Sequence, residues 1–405
     1  MRKREIVLIL ALFIASLNLR PAITSVSPLL GAIRDGLGMS GASASLLTSI
    51  PVLCMGLFAP GAVKLSNRWG IERTIACAML LIGAATIARL FVSSTLFLLF
   101  TAFCAGIGIS VAGPLLSGFI KRHFPNAGAM VGVYSMAMVV GAALSSGLSV
   151  PLEDIMKGSW RGSLASWTAL AVIALPLWWH LARRENRVQV SAITSARGRP
   201  PAPVQTRIPW RDKRAWLLTL FFGVVATLFY SITAWLAPAA ESMGYDQASA
   251  GGVLTLFSLT QIPISLLLPL LISRWPKRLF WLLLCSGFEL AGILLIVLSA
   301  NPWIAAVPLG IGAGGLFPIV LMLPIDETPN AEAAGAWSAL TLFGGYIIGS
   351  FGPLLVGWIH DLSGSFTEAF AGLAVLVGIM MIIQLMIGNK KEASGGIQGQ
   401  RETVV

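Results

Sequence analysis

The chain has 405 residues, of which 56% are hydrophobic and only 11% charged, and its mean hydropathy is +0.82. A soluble globular domain carries roughly 25% charged residues, so this composition excludes a soluble fold and indicates an all-helical protein that crosses a membrane many times. The net charge of +11 and pI near 10.0 do not make a nucleic-acid footprint, because the basic residues lie between apolar runs, where they set topology.

A spanning helix needs about 20 apolar residues. On that rule the chain divides into twelve expected spans at 6–31, 43–65, 72–92, 95–119, 128–152, 163–182, 215–239, 247–273, 279–299, 302–325, 332–358 and 366–388. Met1-Arg2-Lys3-Arg4 before the first run resembles the charged start of a signal peptide, but the run is too long and too many like it follow, so it reads as a retained span. With the N-terminus on the cytoplasmic side, 23 of the 28 Lys and Arg residues fall in inner loops. This strong positive-inside bias places both termini in the cytoplasm and calls for an even number of spans. The expected location is a bacterial cytoplasmic membrane.

The longest break, 183–214, contains Arg199-Pro200-Pro201-Ala202-Pro203 and nine basic residues. It reads as a cytoplasmic linker between an N-terminal six-helix bundle (1–182) and a C-terminal one (215–388), with 389–405 as a cytoplasmic tail. The two bundles repeat each other. Gly106, Ile107, Gly108, Pro114 and Pro125 recur as Gly310, Ile311, Gly312, Pro318 and Pro329, all at one offset of 204. Gly132, Tyr134, Ser135 and Gly141 of span five likewise answer Gly335, Trp337, Ser338 and Gly344 of span eleven. A parallel six-plus-six duplication is one of the architectures of secondary transporters, in which the halves rock about a central site.

On these features the chain resembles the major facilitator superfamily. Within it, four stretches resemble the cyanate and 2-nitroimidazole porters: Leu17-Asn18-Leu19-Arg20-Pro21 through Leu30, Pro114 to Pro125, Tyr134-Ser135, and Tyr230 to Pro238. The superfamily's loop between spans two and three is present in altered form as Asn67-Arg68-Trp69-Gly70-Ile71-Glu72-Arg73, with Asn67 where the family has an acid. The resemblance implies that this loop latches the halves through charge pairs at helix ends, a role that here falls to Asn67 and Glu72.

The resemblance also implies that spans one, four, seven and ten line a cavity, which puts Arg20 on a cavity wall about 21 Å along the axis from Ile6. An arginine at such depth is a functional-site candidate, and its planar five-donor head suits a small anion or a carboxylate. The alternative is that it pairs with a helix-end carbonyl or a structural polar group. Thr24 one turn on, Asn18 beside it, and Tyr134, Tyr230, Trp235, Gln261 and Trp337 on other spans are candidates to close a binding chamber. Glu289, a carboxylate deep in span nine, is either a proton-coupling group or a hydrogen-bonded structural acid. Arg89 reads as snorkelling or pairing locally.

Four cysteines without CxxC spacing indicate neither disulfides nor a metal site, and no cofactor is expected. No nucleotide-binding loop or catalytic triad appears, so the chain is not expected to be an enzyme. The expected function is secondary or facilitated transport of a small anionic or polar organic solute, resembling cyanate, a carboxylate or a nitroimidazole, by alternating access in a lipid bilayer. Protons are the candidate coupling ion, a monomer is expected, and nucleic acid is not a partner. The alternative function is a multidrug-type exporter of small heteroaromatic or amphipathic compounds.

Overall fold

The computed structural model describes residues 3–124, 127–193, 209–328 and 331–388, and among these residues the only regular structure is helical. Among the described residues eleven helices are long and apolar enough to cross a membrane. A twelfth span is formed by a pair bent by 51°, Gly41–Leu57 followed by Ala59–Ser66. The twelve expected spans are therefore present, with three departures. Span one extends to Leu37 and is broken in the middle into Lys3–Asn18, Pro21–Thr24, Ser27–Leu29 and Leu30–Leu37. Span two bends at Phe58, where Pro60 enters the next helix in its first turn. Span six, Thr168–Ile193, continues past the expected start of the linker, so residues 183–193 are helical; positions 194–208 lie outside the described residues.

Helix ends follow local chemistry. Ser40, Ser94, Asp212, Asp246, Asn301 and Ser365 each accept a hydrogen bond from a backbone N–H of the first turn they precede, as N-cap side chains do. The remaining spans are span three (Ile71–Ala88), four (Thr95–His123), five (Ala127–Ile155), seven (Lys213–Ser242), eight (Gln247–Arg274), nine (Arg278–Val297), ten (Pro302–Asp326), eleven (Ala331–Ser363) and twelve (Phe366–Ile387).

The pairing of spans repeats with a step of six. Span one packs on five as seven packs on eleven, two on four as eight on ten, three on four as nine on ten, and three on six as nine on twelve. Gly108 meets Ala78 and Ile82 across spans three and four, and Gly312 meets Cys285 and Glu289 across spans nine and ten. Those are corresponding positions of the repeat. The two sets of six meet where span two lies along eleven and span five along eight.

Among the described residues each set carries a cluster of acid and base at corresponding span ends, with acid and base exchanged between the sets. At the start of span three, buried Glu72 meets His123 Nε2 at 2.8 Å and Arg122 at 3.8 Å at the end of span four. At the start of span nine, Arg278 meets Glu327 at 2.8 Å at the end of span ten. His123 and Glu327 stand 204 residues apart, the offset of the repeat. Arg214 joins the second pair at 2.9 Å, and both arginines also donate to the last carbonyls of span twelve, at Met386, Ile387 and Gly388. The resemblance gives Glu72 a part in latching the halves together, but its partners among the described residues, His123 and Arg122, lie in its own half. Arg68 and Arg73 are exposed, Gly70 takes φ +85° in the turn, and the Asn67 side chain lies outside the described residues.

At the face opposite the start of span one and the end of span twelve the two sets are bonded together. Gly41 and Ala42 N–H groups at the start of span two donate to the two carboxylate oxygens of Asp361 on span eleven, each at 2.7 Å. The Gln247 amide on span eight donates to the Pro28 carbonyl at 3.0 Å and to Glu153 at 3.1 Å. Ser27 Oγ donates to the Ala234 carbonyl at 2.8 Å, and Ser146 pairs with Thr255 at 3.0 Å. Backbones touch here as well: a Cβ on Gly357 would lie 2.6 Å from the Gly41 carbonyl oxygen, so only glycine fits. This face is closed.

Two outcomes follow from the ion pairs and the closed face. Burial raises the proton affinity of Glu327, but hydrogen bonds from Arg214 and Arg278 outweigh it and hold the carboxyl below its usual 4.5. A carboxyl depressed in the folded state contributes stability that is complete above pH 4.5 and lost as pH falls through the depressed value. Glu327→Gln should therefore lower unfolding stability by about 1–2 kcal/mol at pH 7 and remove that part of the acid sensitivity, as read by thermal unfolding across pH. Gly357→Leu should wedge spans two and eleven apart. With the four native cysteines replaced, a cysteine at Ser27 should then react several-fold faster with a water-soluble maleimide, and an unchanged rate would contradict the closed face.

Candidate functional site

The site is built on the break in span one. Pro21 has no N–H to continue the helix, and Asn18 ends the first segment. Span five presses against the segment just before the break, where a methyl on Gly141 would overlap the Leu17 carbonyl. The turn is then re-bonded locally. Ile23 and Thr24 N–H groups donate to the Arg20 carbonyl. Thr24 Oγ1 donates to that same carbonyl at 3.0 Å and pairs with Ser145 Oγ of span five at 2.5 Å. Arg20 is thus the residue at which the chain leaves the helix, and it is partly exposed.

From there the guanidinium reaches the other half of the molecule. Its central carbon lies 5.2 Å from the centre of the Phe229 ring on span seven. Phe229 is one panel of an aromatic wall: it meets Tyr230 edge-on at 5.2 Å, Phe317 of span ten at 5.7 Å and Phe257 of span eight at 6.3 Å. Phe222 meets Phe317 at 5.9 Å and Tyr346 of span eleven at 5.1 Å. Tyr230 and Tyr346 rings are 6.4 Å apart.

Three hydroxyls face the same charge. Tyr134, Tyr230 and Tyr346 all lie near enough to Arg20 to sense its charge. The chain has four tyrosines, so three of them converge on one guanidinium. Tyr134 comes from span five, its hydroxyl beside Gly113 of span four. Tyr230 is fully buried and also reaches Met55 Sδ of span two at 3.7 Å. Among the described residues no carboxylate pairs with Arg20.

Of the residues singled out from sequence, the structure brings Arg20, Tyr134 and Tyr230 together, with Thr24 holding the turn. It places the others elsewhere. The Asn18 amide donates to Met79 Sδ of span three at 3.5 Å. Trp235 is fully buried, donates to the Pro353 carbonyl at 2.9 Å and lies against His360 and Phe366 toward the closed face. Gln261 donates to the Phe257 carbonyl of its own helix at 3.2 Å, with its backbone against Gly314. Trp337 is partly buried and packs on the apolar core. Glu289 is buried between spans nine and ten, one oxygen without a hydrogen-bond partner. Arg89 does not snorkel: it is fully buried.

Tyr346 and Phe229 are site residues that the sequence reading missed. For Tyr346 there was a signal, since a hydroxyl inside an apolar run needs a polar reason. Phe229 gave none. Among the described residues no cluster of His, Cys, Asp and Glu can hold a metal ion.

A cation facing an aromatic wall gains about 0.5–2 kcal/mol, while an arginine at mid-membrane depth costs about 2.5–3.5 kcal/mol or more. The wall alone does not offset that cost, and the arrangement leaves charge and donors over for an anionic or polar guest.

Comparison with known proteins places this geometry. The family model for the Major Facilitator Superfamily matches residues 8–353. The 2-nitroimidazole transporter of Escherichia coli K12 is 32% identical over 96% of this chain and 97% of its own length. The cyanate transport protein CynX of the same organism is 30% identical over 93% of this chain and 96% of its own. An uncharacterized transporter of Bacillus subtilis, YycB, is 33% identical over 89% and 88%. In fold, a bacterial homologue of the lysosomal transporter Spinster in an inward-facing, occupied conformation superimposes with a TM-score of 0.72 at 16% identity, covering 95% of this chain and 97% of that one. The D-xylose-proton symporter does so with 0.70 at 14%, covering 93% and 97%. The chain belongs to the major facilitator superfamily, as a multi-pass membrane transporter.

Proposed function

We propose that this transporter carries a small, flat organic anion or polar solute of the cyanate, carboxylate or nitroimidazole kind, bound between Arg20 and the aromatic wall of spans seven, ten and eleven. The observation that carries the reading is the Arg20 guanidinium itself, set over Phe229 and among three tyrosine hydroxyls with no carboxylate partner among the described residues. A planar guanidinium offers paired donors to a carboxylate or another bent anion. The hydroxyls supply further donors, and the ring faces accept a flat body by stacking. The names of the 2-nitroimidazole and cyanate relatives support solutes of this size.

Transport proceeds by alternating access. Arg20 belongs to one half and its wall to the other, so a guest held between them makes its contacts only when the halves approach. If the basic-loop bias sets orientation, with the termini in the cytoplasm, the closed face carrying Asp361 and Gln247 is the outer one and the site faces inward in this structure. Proton coupling is proposed as well, but Glu289 is poorly placed for it, lying between spans nine and ten and away from the interface of the halves.

The test is binding and proteoliposome uptake of cyanate, acetate, benzoate and 2-nitroimidazole by the parent, Arg20→Ala, Arg20→Lys and Tyr346→Phe. Loss of charge-assisted hydrogen bonds costs about 1.5–3 kcal/mol each, so Arg20→Ala should weaken anion binding roughly 10- to 100-fold. Arg20→Lys should recover only part of that, and Tyr346→Phe should cost about 3- to 10-fold. The anion reading fails if neutral 2-nitroimidazole binds and the Arg20 variants bind it as well as the parent does. In that case the aromatic wall is the recognition element, as in a multidrug-type exporter. Glu289→Gln should leave uptake within about twofold, and loss of gradient-driven uptake in that variant would restore Glu289 as the coupling acid.

A further inference from the structure

Arg89 is fully buried, and its one side-chain hydrogen bond among the described residues is to the break in span one. It follows the last residue of the span three helix, Ala88. Nη2 donates to the Ala22 carbonyl at 2.9 Å. Nε and Nη1 are buried without a hydrogen-bond partner.

The carbonyl it serves is one that the break has orphaned. In a continuous helix Ala22 O would accept from Val26 N–H, but Val26 N–H donates to Ile23 O and Ser25 N–H to Pro21 O. A buried carbonyl without a donor is costly, and Arg89 supplies the donor from a neighbouring span. A neutral side chain would satisfy one carbonyl more cheaply than a guanidinium enclosed without a carboxylate, because a buried charge loses its hydration. The arginine's length and fork let it hold the turn from a distance and leave the Nε and Nη1 donors beside it. Ser145 of span five fixes the same turn through its hydrogen bond with Thr24. Ala22 is two residues from Arg20, so whatever fixes the turn fixes where Arg20 points.

We propose that Arg89 is a positioning residue for the Arg20 site: by holding the Ala22 carbonyl it sets the break of span one, and so the aim of the Arg20 guanidinium across the interface. The link to solute recognition rests on the reading of Arg20 given above, whereas the link to the break does not.

The experiment combines two readouts on the full-length protein carrying Arg89→Met, Arg89→Lys, Arg20→Ala or both Arg89→Met and Arg20→Ala. Hydrogen exchange of peptides covering residues 19–26, measured without any solute, reads the turn directly. Proteoliposome uptake of cyanate and benzoate reads KM against kcat. Exchange in 19–26 should rise at least several-fold in Arg89→Met, return toward the parent in Arg89→Lys, and stay at the parent level in Arg20→Ala. KM should rise about tenfold in Arg89→Met with a smaller change in kcat, and Arg89→Met should add nothing to KM once Arg20 is Ala. Unchanged exchange in Arg89→Met overturns the proposal. So does a rise spread evenly over all spans, or a KM loss that adds fully to that of Arg20→Ala, since both are marks of general destabilisation. If exchange rises locally in Arg89→Met while neither Arg89 nor Arg20 variants alter binding, the positioning of the turn stands and the anion reading of Arg20 falls.

Discussion

The interaction on which the rest depends is the break of span one at Arg20-Pro21. Its cause is local: proline cannot donate, and the carbonyls around it lose their helical partners. Its persistence is tertiary. Span five approaches through Gly141, Thr24 and Ser145 bind across, and Arg89 holds Ala22 from span three. Irregular backbone at membrane depth is tolerated only where other protein groups satisfy it, and here spans three and five do so. What they support is a single outward turn that lets a guanidinium leave its own half and meet the aromatic face of the other.

The interface between halves has two kinds of contact. Toward the closed face, backbone meets backbone at Gly41 and Gly357, and side chains bond across the gap: Asp361 of span eleven accepts from the start of span two, and Gln247 donates to the Pro28 carbonyl and to Glu153. At the level of Arg20 the contacts are aromatic rings, hydroxyls and the guanidinium itself, with no carboxylate paired to it among the described residues. Farther along, the ion pairs Glu72 with His123 and Glu327 with Arg278 each stay within one half. These pairs tie span three to four and span nine to ten within each half. The exchange of charges between the two pairs shows the duplicated halves keeping a contact while diverging in its chemistry.

Much of this was legible in the sequence. The span count, the duplication at one offset and the anomaly of Arg20 all come from hydrophobic runs, glycine and proline spacing and the cost of charge in lipid. The fate of individual polar residues was less legible. Trp235 and Gln261 look like chamber residues by type, yet each is satisfied by a backbone carbonyl, Pro353 O for one and Phe257 O for the other. Which way a side chain on an all-apolar helix points depends on its neighbours, and span seven is apolar all round because it is enclosed on nearly every side. For the same reason Arg89, near a helix end where snorkelling is usual, turns inward: the broken span beside it offers a carbonyl that water would otherwise have had to satisfy.

The most direct measurement is a structure of the protein determined with benzoate or cyanate bound. The account predicts the anion between the halves, with an oxygen or nitrogen about 3 Å from the Arg20 guanidinium, within reach of the Tyr230 or Tyr346 hydroxyl, and its flat body against Phe229. An anion found elsewhere, with the Arg20 head turned to a carboxylate or a helix-end carbonyl, would contradict it.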